Sequence, residues 1–317
     1  MSEIVAPANI PPAPRSAFRR FLDSDMFYSF IGSPVTVVAA VITVVLVAAA
    51  LAAPLIAPHN PFDPASLSIT DSLLPPAWSH DGTSTYLLGT DDQGRDVLST
   101  ILYGMRISLS VGFASVLLAI AIGVPLGLIA GYSRGPIDAL IMRVADVQLT
   151  FPAILTALLI DGVARGIAGP QAYNDVVFPV LVLSIGLSFW VQYARTVRGS
   201  VLVEANKEYV LAARLIGLRP AAILFRHILP NVLGPVLIIA TINLALAVIT
   251  EATLSFLGVG VPPTQPSLGT LIRIGNDYLF SGEWWITAFP GITLAVLVLA
   301  VNLLGDWLRD ALNPKLR

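Results

Sequence analysis

The 317-residue chain is patterned as long apolar runs separated by short polar segments. A helix that crosses a bilayer needs about 20 mostly apolar residues. Residues 33–57 carry no charge and form the clearest such run. Further spans are expected at 107–130, 144–160, 176–193, 231–256 and 285–304, the third interrupted by Asp146 and Pro152. The pattern predicts an all-α membrane protein with six transmembrane helices. It divides into an N-terminal segment over 1–32, a first span with an acidic loop over 33–104, a five-helix core over 105–305 and a tail over 306–317.

Composition sharpens this picture. The chain is 56% hydrophobic and 12% charged, with mean hydropathy +0.80, whereas soluble chains carry about 25% charged residues. It has no Cys, which excludes disulfides and thiol metal sites. His59, His80 and His227 are too far apart in sequence to suggest a metal site. A net charge of −2 gives no reason to expect a nucleic-acid partner. The first apolar run exceeds the about 7–15 residues of a secretory signal core, so it is expected to be retained.

Lys and Arg orient the spans. With the N-terminus cytoplasmic, only Arg95, Arg106, Arg165 and Arg273 of the 18 basic residues fall outside. Both termini are therefore expected inside, with Trp284 and Trp285 at the outer interface and Trp307 at the inner one. The outer segment 58–104 carries Asp63, Asp71, Asp81, Asp91, Asp92 and Asp96. From Leu88 it reads as a turn entering a short helix at the membrane surface, with Thr90 or Asp91 as cap. The spacing of Asp91, Asp92 and Asp96 does not fit the twelve-residue calcium loop.

Few residues in the spans carry candidate chemistry. Gly123, Gly127 and Gly131 recur every fourth residue and clear one helix face for close packing, static or between moving helices. Asp146 and Arg143 are expected paired or solvated at the water interface. Glu251 is expected to face a cavity or to pair with an outer Arg. No Gly-rich loop ending in Lys-Ser/Thr occurs, nor Gly-x-Ser-x-Gly or His-Glu-x-x-His. Any pumping energy must then come from another subunit. An ion-gradient-driven secondary carrier is the alternative; it would favour buried acids near the midplane, whereas the charges here cluster at span ends.

The segment 195–229 is the most informative loop. It carries six basic residues and two acidic ones, Glu204 and Glu208, with Glu204 read as a surface charge. Within 209–230 a helical pattern holds Ala212 and Ala213, breaks at Gly217, restarts near Pro220 and reaches Leu229 and Pro230. Two short helices meeting at an angle suit a surface that docks on a soluble partner.

This spacing resembles the cytoplasmic loop by which permease subunits of ATP-binding-cassette (ABC) importers grip their ATPases. Three more stretches resemble one branch of that family: 88–98 (LGTDDQGRDVL) followed by 103–109 (YGMRISL), 251–269 (EATLSFLGVGVPPTQPSLG) and 302–314 (NLLGDWLRDALNP). Together they look like the second, C-type permease subunit of dipeptide/oligopeptide/nickel importers, from about Phe27 onward. The chain departs from the pattern at Leu211, usually Glu, at His227, usually apolar, and at Leu268, usually Trp. The resemblance implies a type I ABC importer permease fold in a bacterial inner membrane. It implies an ATP-driven importer of peptides or related small solutes, with nickel chelates, glutathione and opines also open. Ala212, Ala213, Gly217, Leu229 and Pro230 would be the ATPase-coupling residues. The implied partners are a second homologous permease subunit, two ABC ATPases that hold ATP-Mg, and a periplasmic or lipid-anchored substrate-binding protein. This chain would lie in lipid, carry no cofactor and do no chemistry.

Overall fold

A computed structural model describes residues 25–63, 67 and 69–312. Arg15, Arg19, Arg20, Lys315 and Arg317, all used in the charge asymmetry, lie outside the described residues, as do Asn313 and Pro314 of the last motif. The described residues form helices and loops, joined by one isolated bridge between Thr90 and Asp96. In chain order the α-helices are α1 Asp25–Gly32, α2 Pro34–Leu51, α3 Ala53–Ile56, α4 Val97–Ser133, α5 Gly135–Leu149, α6 Ala153–Glu204 (two arms that meet at a kink where Gly169 has φ of +74°), α7 Glu208–Leu215, α8 Pro220–Ile223, α9 Leu229–Phe256, α10 Leu268–Tyr278 and α11 Trp285–Ala311.

Sequence chemistry sets several of the starts. Ser33 caps α2, its side chain accepting from the Thr36 amide, and Pro34 opens the helix. Asp96 caps α4 through the Ser99 amide, and Ser267 caps α10 through that of Thr270. Prolines inside α4, α9 and α11 (Pro125, Pro235, Pro290) do not end them, because packed membrane helices re-satisfy the freed carbonyls.

Among the described residues, five helices are long and apolar enough to cross a membrane, or six if a bent pair counts as one span. The bent pair corrects the expected third span. Helix α5 stops at Leu149, and α6 starts after Pro152 at an angle of 89°. Asp146 therefore sits in the last turns of a separate helix, ion-paired with Arg195 at a half-exposed position. Arg198 grips Asp138 with two of its nitrogens, so α5 is held to the end of α6 by charge.

The core is built around α4 against α6 and α9. A Cβ placed at Gly123 would lie 2.4 Å from the Trp190 carbonyl oxygen, one at Gly127 2.6 Å from that of Ala194, and one at Gly131 2.7 Å from Val201 Cβ. The three glycines line one seam along which α4 lies against the backbone of α6. Helix α2 packs on the flank of α11 and leaves Val35, Val38, Val41 and Val44 exposed.

Two expectations about the acidic loop change. The run after Leu88 leads straight into the 37-residue α4, with no separate surface helix. Asp96 is its cap, while Asp91 accepts from the amides of Gln93 and Arg95 (both 2.9 Å) and from Arg95 Nε (2.6 Å). This ion pair is fully buried, and Arg95 Nη1 reaches across to the Pro263 carbonyl oxygen (2.6 Å). Asp91 and Arg95 thus form a clasp between two loops. Burial, and then the neighbouring Asp91 carboxylate, hold the Asp92 carboxyl above its ordinary range. Trp285 is no interface anchor: it is buried, and its indole nitrogen donates to the Thr90 carbonyl oxygen (3.1 Å).

Candidate functional site

The loop expected at 195–229 begins later, because α6 runs on as helix to Glu204. The segment beyond it is compact. Helix α7 ends in paired capping bonds: the Gly217 amide donates to the Arg214 carbonyl (3.0 Å) and the Leu218 amide to that of Ala213 (3.1 Å). This terminus needs a left-handed residue after the cap, and Gly217 supplies it with φ of +78°. Pro220 then opens α8, and its fixed φ suits a first helical position. A five-residue π turn, Leu224–Ile228, joins α8 to α9.

The five residues singled out do not form one surface. Ala212 and Gly217 are exposed, and a Cβ at Gly217 would meet nothing within 4 Å. Ala213 faces inward and packs in the main core with Val210, Ile223 and Ile228. Leu229 is half-buried and Pro230 exposed, both in the first turn of α9. Around Gly217 the loop exposes apolar side chains: Leu215 is 89% exposed and Ile216 75%, Leu218 follows directly, and Leu211 on α7 and Phe225 on the π turn are exposed as well. Water does not favour such a cluster, and exposed apolar patches mark contact surfaces.

The loop is tied to the spans beneath it. The Arg214 guanidinium lies 4.8 Å over the Tyr132 ring at the end of α4, and Arg134 donates to Asn206 (3.0 Å). Glu204 is no plain surface charge: its carboxylate accepts from Lys207 Nζ (2.6 Å) and from the Tyr209 hydroxyl. The Asn231 amide donates to that hydroxyl (3.1 Å) and to the His227 carbonyl (2.7 Å). The ends of α6, α7 and the π turn thus meet at one polar node at the start of α9. Burial and the bond to Glu204 push the Tyr209 phenol up to about 12. Tyr209→Phe is expected to lower the thermal stability of the detergent-solubilised protein by about 1 kcal/mol, and Glu204→Ala by more. Melting curves indistinguishable from wild type would return Glu204 to an ordinary surface charge.

At the opposite end, Glu251 pairs with no arginine among the described residues. It is fully buried on α9, accepting from Ser108 Oγ (2.6 Å) and Ser255 Oγ (2.7 Å). A second buried acid, Asp161, was missed by sequence reasoning. It is paired with Arg165 (2.8 Å) and accepts from the Tyr173 hydroxyl. The spacing of Asp161 and Arg165 by four was the available signal.

Comparisons with known proteins agree with this architecture. Residues 123–317 match the family described as binding-protein-dependent transport system inner membrane component. Residues 22–76 match the N-terminal TM domain of oligopeptide transport permease C. The chain is 40% identical over 273 residues to the di/tripeptide transport system permease protein DppC of Pseudomonas aeruginosa, covering 86% of this chain and 85% of that one. It is 40% identical over 282 residues to the dipeptide transport system permease protein DppC of Escherichia coli, covering 89% of each. Among solved structures it resembles an inward-facing MetNI methionine ABC transporter chain, with TM-score 0.53 at 20% identity, over 68% of this chain and 96% of that one. The secondary-carrier alternative falls with these matches. The chain belongs to the family of binding-protein-dependent transport system inner membrane components, as a permease subunit of an ABC importer.

Proposed function

We propose that this permease carries short peptides inward, paired with a second homologous permease subunit, driven by two ATPases that hold ATP-Mg, and loaded by an outside substrate-binding protein. Relatives 40% identical over most of the chain are named as dipeptide or di/tripeptide permeases, which supports the peptide class. The observation that carries the coupling role is the exposed apolar cluster around a left-handed Gly217, braced on three spans. In this reading Ala212 and Gly217 meet the ATPase. Ala213, Leu229 and Pro230 hold the α7–α9 frame that presents them. The glycine seam of Gly123, Gly127 and Gly131 keeps α4 and α6 moving as one body. The chain supplies path and lever, with no cofactor and no chemistry of its own. Both termini lie in the cytoplasm, which puts the basic loop on the ATPase side.

The test is reconstitution with the partner subunits. ATP-driven uptake of labelled dialanine into receptor-loaded vesicles is expected, and assembled complexes that hydrolyse ATP without moving any short peptide would overturn the peptide class. Topology is checked separately by a thiol at position 81, where the native Asp81 side chain is 88% exposed and no native Cys interferes. Labelling of Asp81→Cys solely from the cytoplasmic side would invert the arrangement.

A further inference from the structure

A cavity of about 410 Å³ opens at the acidic-loop end, between the two arms of α6 on either side of Gly169, the loop after α9, and α10. The cavities at the α5–α6 elbow and between α2 and α11 are lined by apolar side chains apart from Gln148 and Thr156. This one is lined by Arg165, Tyr173, Asn174, Arg273 and by Gly258 and the 260–263 stretch of the loop after α9. Its size suits a small molecule.

The charge inside it is unbalanced. Arg165 is held by Asp161 through Nε, donates from Nη2 to the Gly258 carbonyl oxygen (3.2 Å) and stacks 4.4 Å from the Tyr173 ring centroid. Its plane is thereby fixed and its charge matched. Arg273 forms no ion pair among the described residues, and Asp277, one helical turn on, is not paired with it. Gly258, at φ +81°, lets Arg273 lie over the loop: a Cβ there would sit 2.9 Å from Arg273 Nη1. The opposite wall is fixed, since Pro263 accepts from the buried Arg95 and Val261 from Thr270 Oγ1 (3.2 Å). Among the described residues, two guanidiniums, both partly open to solvent, face one buried carboxylate, so Arg273 brings an unmatched positive charge to the mouth of a concave site. A planar fork of N–H donors is suited to one carboxylate.

We propose that this cavity binds the terminal carboxylate of a short peptide as it leaves the receptor, with Arg273 as the principal contact and Arg165 as the second. The ligand's identity rests on the peptide class proposed for this permease. The carboxylate preference rests on the cavity alone.

The test uses the intact importer in nanodiscs, with partner subunits made cysteine-free and Asn174→Cys as the single thiol. An anionic sulfonate methanethiosulfonate is expected to modify this thiol several-fold faster than its cationic trimethylammonium counterpart. Dialanine should slow the anionic reagent and dialanine amide should not. Adding Arg273→Gln should raise the dialanine concentration for half-protection by about tenfold. Equal rates for the two reagents, equal protection by acid and amide, or protection unchanged in Arg273→Gln would each overturn the proposal. Protection by unloaded receptor alone would assign the cavity to receptor docking and overturn it too. No transport is needed for this readout, so the cavity and the peptide reading can fail separately: a wild type that takes up no dialanine yet shows acid-selective protection loses only the latter.

Discussion

Gly217→Arg is expected to abolish the stimulation of ATP hydrolysis by loaded receptor while leaving membrane insertion and receptor docking near normal. Two costs combine. A side chain at φ +78° costs about 1–2 kcal/mol of backbone strain, and the α7 terminus must give up or distort its paired capping bonds. The larger cost falls at the partner. Nothing in this chain lies within 4 Å of a Cβ at Gly217, so the arginine projects from an apolar cluster holding Leu215 and Ile216 and carries an unpaired cation into the contact. Asparagine tolerates the left-handed region, so Gly217→Asn separates the two costs and should retain most coupling. Ala212→Glu should resemble the arginine variant, because Ala212 is exposed on the same short helix. Stimulated hydrolysis at wild-type level in assembled Gly217→Arg complexes would leave the loop as topology only.

Gly127→Leu is expected to be strongly damaging to the packing of the spans. A Cβ at this position would stand 2.6 Å from the Ala194 carbonyl oxygen and 3.1 Å from Ala194 Cα. Those are backbone atoms, which cannot rotate away. Overpacking commonly costs about 1–3 kcal/mol when side chains can shift, and here the whole of α6 must move, so the cost should exceed that range. The measurement is the abundance of folded protein in the membrane and its melting temperature after extraction. Gly234→Leu serves as a control, since a Cβ at Gly234 has open space around it. Equal effects of the two substitutions would mean that the seam has no special role in packing.

The features legible in the sequence were those whose cause is local. The break at Gly217 and restart at Pro220 follow from backbone preferences of single residues, and the structure has both. The four-residue glycine spacing marks a cleared face, yet only three-dimensional packing shows that Trp190, Ala194 and Val201 fill it. Pro152 announced an interruption, but the 89° bend depends on how α5 is gripped by Arg195 and Arg198, which lie some 50 to 60 positions along the chain. Glu204 was misread because one of its node's members, Asn231, comes from a distant helix; Lys207 and Tyr209, close by, were the overlooked signal. Glu251 looked like a partner for an arginine because charge in a span invites one. Serine hydroxyls satisfy it instead, and a hydroxyl leaves no trace in a charge pattern.

Helix α4 begins at the clasp made by Asp91 and Arg95 and runs unbroken past Tyr132, whose ring lies under Arg214 of α7. At about 1.5 Å per residue its 37 residues span about 55 Å, well beyond the about 30 Å of hydrocarbon. It is therefore a stiff beam with a fixture at each end, and Pro125 is its natural point of compliance. A tilt of about 5° moves the far end by about 5 Å over that length. Displacement of the loop by an ATPase would then reach the cavity wall at Pro263 without any intermediate helix having to unfold, because Arg95 fastens that wall to the beam's root.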